Sequence, residues 1–187
     1  MQYMVAHMIG GDAKKYHENL SRALASVYTL RSVTATIDPH LTIKAPFDAL
    51  STDLLEVERI VERFVRTKSP LPYTLKGFSN FDGRVVYMDV DAPLDTVSFM
   101  NDLKQELRSI PWLEFKSHEM DSKLHATLCY PKNAEQATEI IEKLTSGNAR
   151  EFVCTIDTVA ILRKSNHRWE LFKEYRLGGT DVLNPVI

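Results

Sequence analysis

His40-Leu41-Thr42-Ile43 and His125-Ala126-Thr127-Leu128 are the two stretches on which the fold turns. Both read H-x-T-aliphatic, 85 positions apart. In a strand, residues two apart share a face. His40 and Thr42 then point one way, with Leu41 and Ile43 behind them. His125 and Thr127 repeat the arrangement over Ala126 and Leu128. Each unit sets a proton carrier beside a hydroxyl donor and backs both with apolar anchors. A single unit carries little weight, because Thr is an ordinary β-former. Two in one chain, each in a strand between helical segments, describe two strands facing one cleft.

The flanking sequence supplies the rest of the architecture. Tyr3–Ile9 reads as a strand. Asp12 opens a helix with Tyr16, Leu20, Leu24 and Val27 at helical spacing. Thr34–Lys44 reads as extended, interrupted by Pro39. Ser51 or Thr52 caps a helix striped by Leu54, Val57, Val61 and Phe64. Tyr73–Phe78 and Arg84–Val90 are strands joined by a turn over Asn80–Gly83. Pro93 suits the first turn of a helix carrying Val97, Met100, Leu103 and Leu107. Leu124–Tyr130 is a strand. Asn133 caps a helix that Gly147 stops. Glu151–Leu162 and Arg168–Leu177 close the chain as strands. Residues 1–90 and 91–177 thus read as two copies of a strand–helix–strand–helix plan. The expected fold is α+β: a single domain over residues 1–187, duplicated and two-lobed. Antiparallel-rich sheets surround a central cleft, and the helices lie outside.

Composition agrees. A chain of 187 residues, 44% hydrophobic and 26% charged, suits one soluble domain. No apolar run approaches the ~20 residues of a membrane helix. The N-terminus has no signal-peptide pattern, so a cytoplasmic location is expected; the chain is also expected to be a monomer. Cys129 and Cys154 form no CxxC pair, and reduced thiols are expected. The net charge of −2 argues against wrapping duplex nucleic acid. A short RNA end or a small nucleotide is compatible with it.

A phosphodiester suits a centre with two imidazoles and two hydroxyls. In-line displacement at phosphorus needs a base on the attacking oxygen and an acid on the leaving oxygen. Histidine serves either role near neutral pH. Thr42 and Thr127 can donate to the non-bridging oxygens, where charge builds. HExxH, HxH and carboxylate clusters around the histidines are absent from the sequence, so no metal or other cofactor is expected. By alternation Lys44 joins the face of His40, as a cation for the phosphate, and Cys129 joins that of His125. Arg163 and Arg168, with Lys164 between them, form a basic cluster near the end of the chain. Tyr130 and Trp169 are the aromatics chosen to stack on a base. His7, His17, His118 and His167 have no partner pattern and read as surface or satisfied residues.

These residues resemble the 2H phosphoesterase superfamily, which includes the LigT-like 2′-5′ RNA ligases and RNA cyclic phosphodiesterases. The resemblance runs through Pro39–Phe47, Phe81–Val90, Leu124–Leu128, Leu162–Ser165, Trp169–Phe172 and Tyr175–Leu177. It departs at Cys129-Tyr130-Pro131, where many members carry a basic residue. The resemblance implies hydrolysis or formation of 2′ phosphate linkages, commonly opening of a 2′,3′-cyclic phosphate to a 2′-phosphate. It further implies His40 as general acid and His125 as base. The expected partner is a nucleotide or RNA end bearing a 2′,3′-cyclic or 2′-5′ phosphate. Cyclic oligonucleotides, 2′-5′ oligoadenylates and ADP-ribose cyclic phosphate present similar phosphates, and a nucleotide-binding module without chemistry is the remaining alternative.

Overall fold

The computed structural model describes residues 1–120, 123–147, 150–179 and 182–183; the side chains of His118, Val182 and Leu183 lie outside that set. In chain order the elements are β1 (Gln2–Met8), α1 (Gly11–Val27), β2 (His40–Asp48), α2 (Ser51–Val65), β3 (Leu71–Phe81), β4 (Val85–Asp91), α3 (Leu94–Arg108), α4 (Ser117–Met120), β5 (His125–Cys129), α5 (Ala134–Ser146), β6 (Phe152–Ile156), β7 (Thr158–Ser165), β8 (Arg168–Arg176) and β9 (Val182–Leu183). The strands form two sheets, ordered β2-β1-β7-β8-β9 and β5-β4-β3-β6. Every pairing is antiparallel. The α+β architecture read from the pattern is the one observed. No helix among the described residues is long and apolar enough to cross a membrane.

The sequence halves do not coincide with the sheets. Residues before 90 supply β1 and β2 to the first sheet and β3 and β4 to the second. The helices cross over as well. α1 follows β1 of the first sheet but packs on β5 and β6 of the second. α3 follows β4 of the second sheet and packs equally on β2 of the first and β3 of the second. α2 and α5 stay with the sheets they follow. The core is therefore continuous between the lobes. It joins Leu41, Ile43, Val57 and Leu103 to Val86, Ala126, Leu128 and Ile140, all buried.

Asp12 lies inside α1 and Ser51 and Thr52 inside α2, and neither helix has a side-chain cap at its N-terminus. Three further expectations change. The stretch 151–162 is two strands, not one. The chain breaks at Asp157, sending β6 to the second sheet and β7 to the first. Residues 34–39 are not extended strand, and β2 begins only at His40. The segment instead folds over the sheet face that carries His40. There Val33 and Ile37 pack on Met4, Ala6, Ala160 and Leu162, forming a second small core. Full burial of each such side chain contributes ~1.5–3 kcal/mol. Finally, α1 buries Ala13, His17, Ser21 and Leu24, whereas Val27 is exposed. Its inward face is rotated partway from the apolar stripe: Tyr16 and Leu20 are only partly buried, and His17 and Ser21 occupy inward positions.

Turn and cap chemistry fix the approaches to the second histidine strand. Asn80 Oδ1 accepts the Gly83 N–H at 2.7 Å. Gly83 has φ +70, and a Cβ there would sit 2.6 Å from the Cα of Ala134, the first residue of α5. The β3–β4 turn can therefore close onto α5 only with glycine at that position. Asn133 caps α5 by accepting the Gln136 N–H at 2.9 Å.

Candidate active site

The two H-x-T strands are edge strands of different sheets, and they contact one another. His40 and Thr42 lie opposite Met8 and Ala6 of β1, and so share a face with them. His125 and Thr127 lie opposite Asp89 and Tyr87 of β4. Thr42 and His125 line one cleft of about 350 Å³, together with Ala45, Glu119, Lys123, Leu124 and Tyr130. Lys123 and Leu124 also border an adjoining hollow of about 470 Å³, reaching Asp91 and Asn101.

The histidines are held in the same way. His40 Nδ1 lies 2.9 Å from the carbonyl oxygen of Asp38, and His125 Nδ1 lies 2.8 Å from that of Lys123. A carbonyl can only accept, so both rings donate from Nδ1–H. That tautomer leaves Nε2 as the nitrogen for proton transfer.

Their electrical surroundings differ. Burial lowers the pKa of both, leaving both rings neutral at pH 7 in the free protein. For His40, the Asp38 carbonyl and carboxylate favour the charged form, while His125 opposes it. For His125, the Lys123 carbonyl and the Asp89 carboxylate favour charge, but the Lys123 and Lys104 ammonium groups oppose it. A carboxylate thus stands beside each histidine, but only His125 also has two ammonium groups opposing its charge. Phe81 meets the His125 ring edge-on at 4.8 Å, and Tyr87 lies 5.2 Å away. These rings restrict how the imidazole can turn.

Both motif strands carry a bulge at the same place. On β2, Thr42 pairs with Ala6 but Lys44 pairs with Val5, leaving Ile43 as the extra residue. On β5, Thr127 pairs with Tyr87 but Cys129 pairs with Val86, leaving Leu128 extra. The extra residue breaks the two-residue alternation, so the fifth residue of each unit turns inward. This corrects two expectations. Lys44 does not share the face of His40; it is 2% exposed and bonds Glu119 Oε2 at 2.8 Å. Glu119 also accepts the N–H groups of Ala45 and Lys116. Burial works against ionising Glu119, but these bonds outweigh it and hold its carboxyl below the usual range. Cys129 likewise leaves the cleft for the core, where burial raises its thiol pKa to about 11.

The remaining candidates divide. Tyr130 stands at the cleft, 56% exposed. Trp169 packs on the second small core, and its backbone N–H bonds Thr36. Arg168 is held by the Thr34 carbonyl and the Asp38 carboxylate, which Lys14 also bonds at 2.7 Å. Through Asp38 it can influence His40. Arg163 pairs with Tyr3, on the face away from His40, and stacks on Phe172. His7 is buried and satisfied, between the Thr158 carbonyl and the Tyr73 hydroxyl. His167 is exposed at the β7–β8 turn. His118 cannot be placed, because its side chain is outside the described set.

Sequence reasoning missed Phe81, Tyr87, Asp89, Lys123, Glu119 and His17. Alternation along β4 offered a signal for Tyr87 and Asp89, which share one face. Glu119 lies on the four-residue α4, whose sequence announced no element. Among the described residues, no three His, Cys, Asp or Glu side chains gather as a metal site requires.

The chain has recognisable relatives. A family model described as the 2′-5′ RNA ligase superfamily matches residues 21–168. A protein of Bacillus pumilus (strain SAFR-032) named "Putative phosphoesterase" is 24% identical over 151 residues, covering 77% of this chain and 82% of that protein. A crystal structure of a Thermus thermophilus protein superposes with a TM-score of 0.61 at 16% identity, covering 97% of this chain and all of that one. E. coli LigT complexed with 3′-AMP superposes with a TM-score of 0.59 at 14% identity, covering 95% and 98%. At such identities the superpositions show a shared fold.

Proposed function

The chain belongs to the 2′-5′ RNA ligase superfamily, and from that premise we propose that it is a phosphodiesterase of nucleotides or RNA ends. Its bond would be a 2′,3′-cyclic phosphate or a 2′-5′ linkage. The observation that carries this reading is the pair of matched His-x-Thr units. Each has Nδ1–H tied to the carbonyl two residues back, and they differ in their charged neighbours.

In the proposed step, His125 Nε2 takes a proton from water as the water oxygen attacks phosphorus. The bond to the leaving ribose oxygen breaks, and His40 Nε2–H protonates that oxygen. Thr42 and Thr127 donate to the non-bridging oxygens, where charge develops. A 2′,3′-cyclic phosphate opened at the 3′ oxygen becomes a 2′-phosphate. The asymmetry of charge supports this assignment of roles. Asp38 favours imidazolium at His40; at His125 the Asp89 carboxylate does the same, but Lys123 and Lys104 favour the neutral ring. The anionic substrate itself supplies the charge that raises His40 toward protonation. No metal enters the step.

Cations around the cleft support a small substrate with little charge. Lys123 pairs with Asp89 at 2.5 Å, Lys44 with Glu119, and Arg168 and Lys14 with Asp38. A single phosphodiester bound by hydroxyls and imidazoles fits that inventory better than a long polyanion. Cyclic oligonucleotide and 2′-5′ oligoadenylate signals are the second substrate class it suits. The LigT complex with 3′-AMP makes mononucleotides the first compounds to try. The test is a product-resolved assay in EDTA with 2′,3′-cyclic AMP, 2′-5′ linked dinucleotides and RNA fragments. Wild type should form product, and H40A and H125A should each lose at least ~10²-fold. Full activity in either variant would refute the acid–base roles.

A further inference from the structure

The proposed step leaves two buried imidazoles without a part, and of these His7 has its partners while His17 does not. His17 lies on the inward face of α1, 1% exposed, where the helix crosses β5. The Ala126 and Thr127 backbone lies against its ring closely enough to favour the charged form. Even so, neither ring nitrogen reaches hydrogen-bond geometry with any partner. From β2, His40 interacts with it electrostatically. One turn further on, Ser21 Oγ donates to the Leu128 carbonyl at 2.8 Å.

β5 is an edge strand, so its outer row of backbone groups has no neighbouring strand to pair with. Ser21 satisfies one of these groups. His17, four residues earlier and on the same helical face, stands over Ala126 and Thr127, inside the second H-x-T unit. It is thus a side chain buried against one catalytic strand and within electrostatic reach of the histidine of the other. An apolar residue would fill this space at lower cost, because a buried polar group without a partner is unfavourable. Burial drives its pKa down to about 4, so it stays neutral while His40 takes protons. The charged and titratable groups around the pair are His40, Asp38 and His125.

We propose that His17 is a positioning residue of the catalytic centre, an uncharged imidazole that sets the Ala126–Thr127 backbone, and with it His125 and Thr127, against His40. The inference rests on the phosphodiesterase reading above. It adds a third histidine, which never touches the phosphate.

The test compares wild type, H17F and H17Q on 2′,3′-cyclic AMP, with a melting curve for each. Phenylalanine keeps the ring shape without its nitrogens, while glutamine restores a polar group of similar reach. H17F should melt no lower than wild type, lose at least 10-fold in kcat and change KM by less than 3-fold. H17Q should recover part of the loss. A folded H17F with wild-type kcat would reduce His17 to a space filler and overturn the proposal. H17L is held to the same criterion if the Phe ring is too long to fold. Wild type inactive on every cyclic and 2′-5′ substrate would instead overturn the phosphodiesterase reading. His17 is then judged by affinity for inorganic phosphate. A loss of 5-fold or more in H17F supports positioning, and unchanged affinity overturns it.

Discussion

Replacing Lys44 with Met separates a ligand role from a structural one. The substitution keeps most of the stem and removes the ammonium, leaving Glu119 buried beside the N–H groups of Ala45 and Lys116. Breaking a buried ion pair by removing one partner costs about 3–5 kcal/mol. The remaining donors, and the freedom of Glu119 to take a proton, put the loss near the lower end, about 3 kcal/mol. For a chain of this size each kcal/mol moves the melting temperature by about 2–4 °C, so K44M should melt about 6–12 °C lower at pH 7.5. The pH dependence has a definite sign. In wild type the Glu119 carboxyl is held below its unfolded value, so its contribution is present above that value and is lost as pH falls through the folded one. In K44M the carboxyl has lost its ammonium partner, so burial favours its protonated form more than in wild type, and stability falls as pH rises. The gap between the two proteins should therefore be widest above neutrality and narrow toward pH 4. The double variant K44M/E119L, which removes both charges of the pair but also the acceptor of the Ala45 and Lys116 N–H groups, should recover part of the loss. Melting curves at pH 7.5 and 4.5 read all three proteins. Phosphate affinity of folded K44M should stay within about 3-fold of wild type, since the bulge turns the side chain from the cleft. A K44M protein that melts like wild type but binds phosphate 10-fold more weakly would refute both the bulge argument and the ion-pair argument.

Other outcomes follow from the same geometry. Tyr130→Ala should raise KM for a nucleotide by roughly 5- to 100-fold, the ~1–3 kcal/mol of base stacking, at unchanged melting temperature. Arg163→Ala should leave KM alone in the same steady-state assay, and Trp169→Ala should lower the melting temperature more than it raises KM. His7, His17, His40 and His125 are all held below their usual value, by burial first. Below about pH 6.5 the unfolded chain takes up protons that these rings refuse, so stability should be full above that pH and fall below it. His17 alone, at about 4 in the folded protein, contributes about 3 kcal/mol of this decline between pH 6.5 and 4. Melting temperatures across that range check it, with H17F giving the flatter curve. The acid limb of kcat/KM for the free enzyme should likewise fall below pH 6.5, as a coupled pair.

The histidine units could be read because two-residue alternation is local: it fixes His40 beside Thr42 and His125 beside Thr127 whatever lies elsewhere in the chain. The next residue on each strand could not. Ile43 and Leu128 look like any other strand residues, with no glycine to announce a bulge, and the shift is defined only against Val5 and Val86 on the partner strands. The inward face of α1 was hidden for a related reason. His17 and Ser21 read as surface by hydropathy, yet they serve the edge of β5, a strand more than a hundred residues away. Strand order is a long-range property too, so Asp157 gave no hint that β6 and β7 part there. The pairing of Lys44 with Glu119 was equally invisible, because nothing in either segment points to the other.

The crossing of α1 and α3 between the sheets has a mechanical consequence. If residues 1–90 and 91–177 are copies of one plan, as we propose, the copies are laced together rather than set end to end. A cut near residue 90 would leave each piece with strands from both sheets and neither sheet whole, so the lobes cannot swing apart like the halves of a hinge. Between His40 and His125 the two sheets share one continuous core, with α1 and α3 packed across it. Such a jaw has little travel, and its selectivity comes from admitting only what already fits.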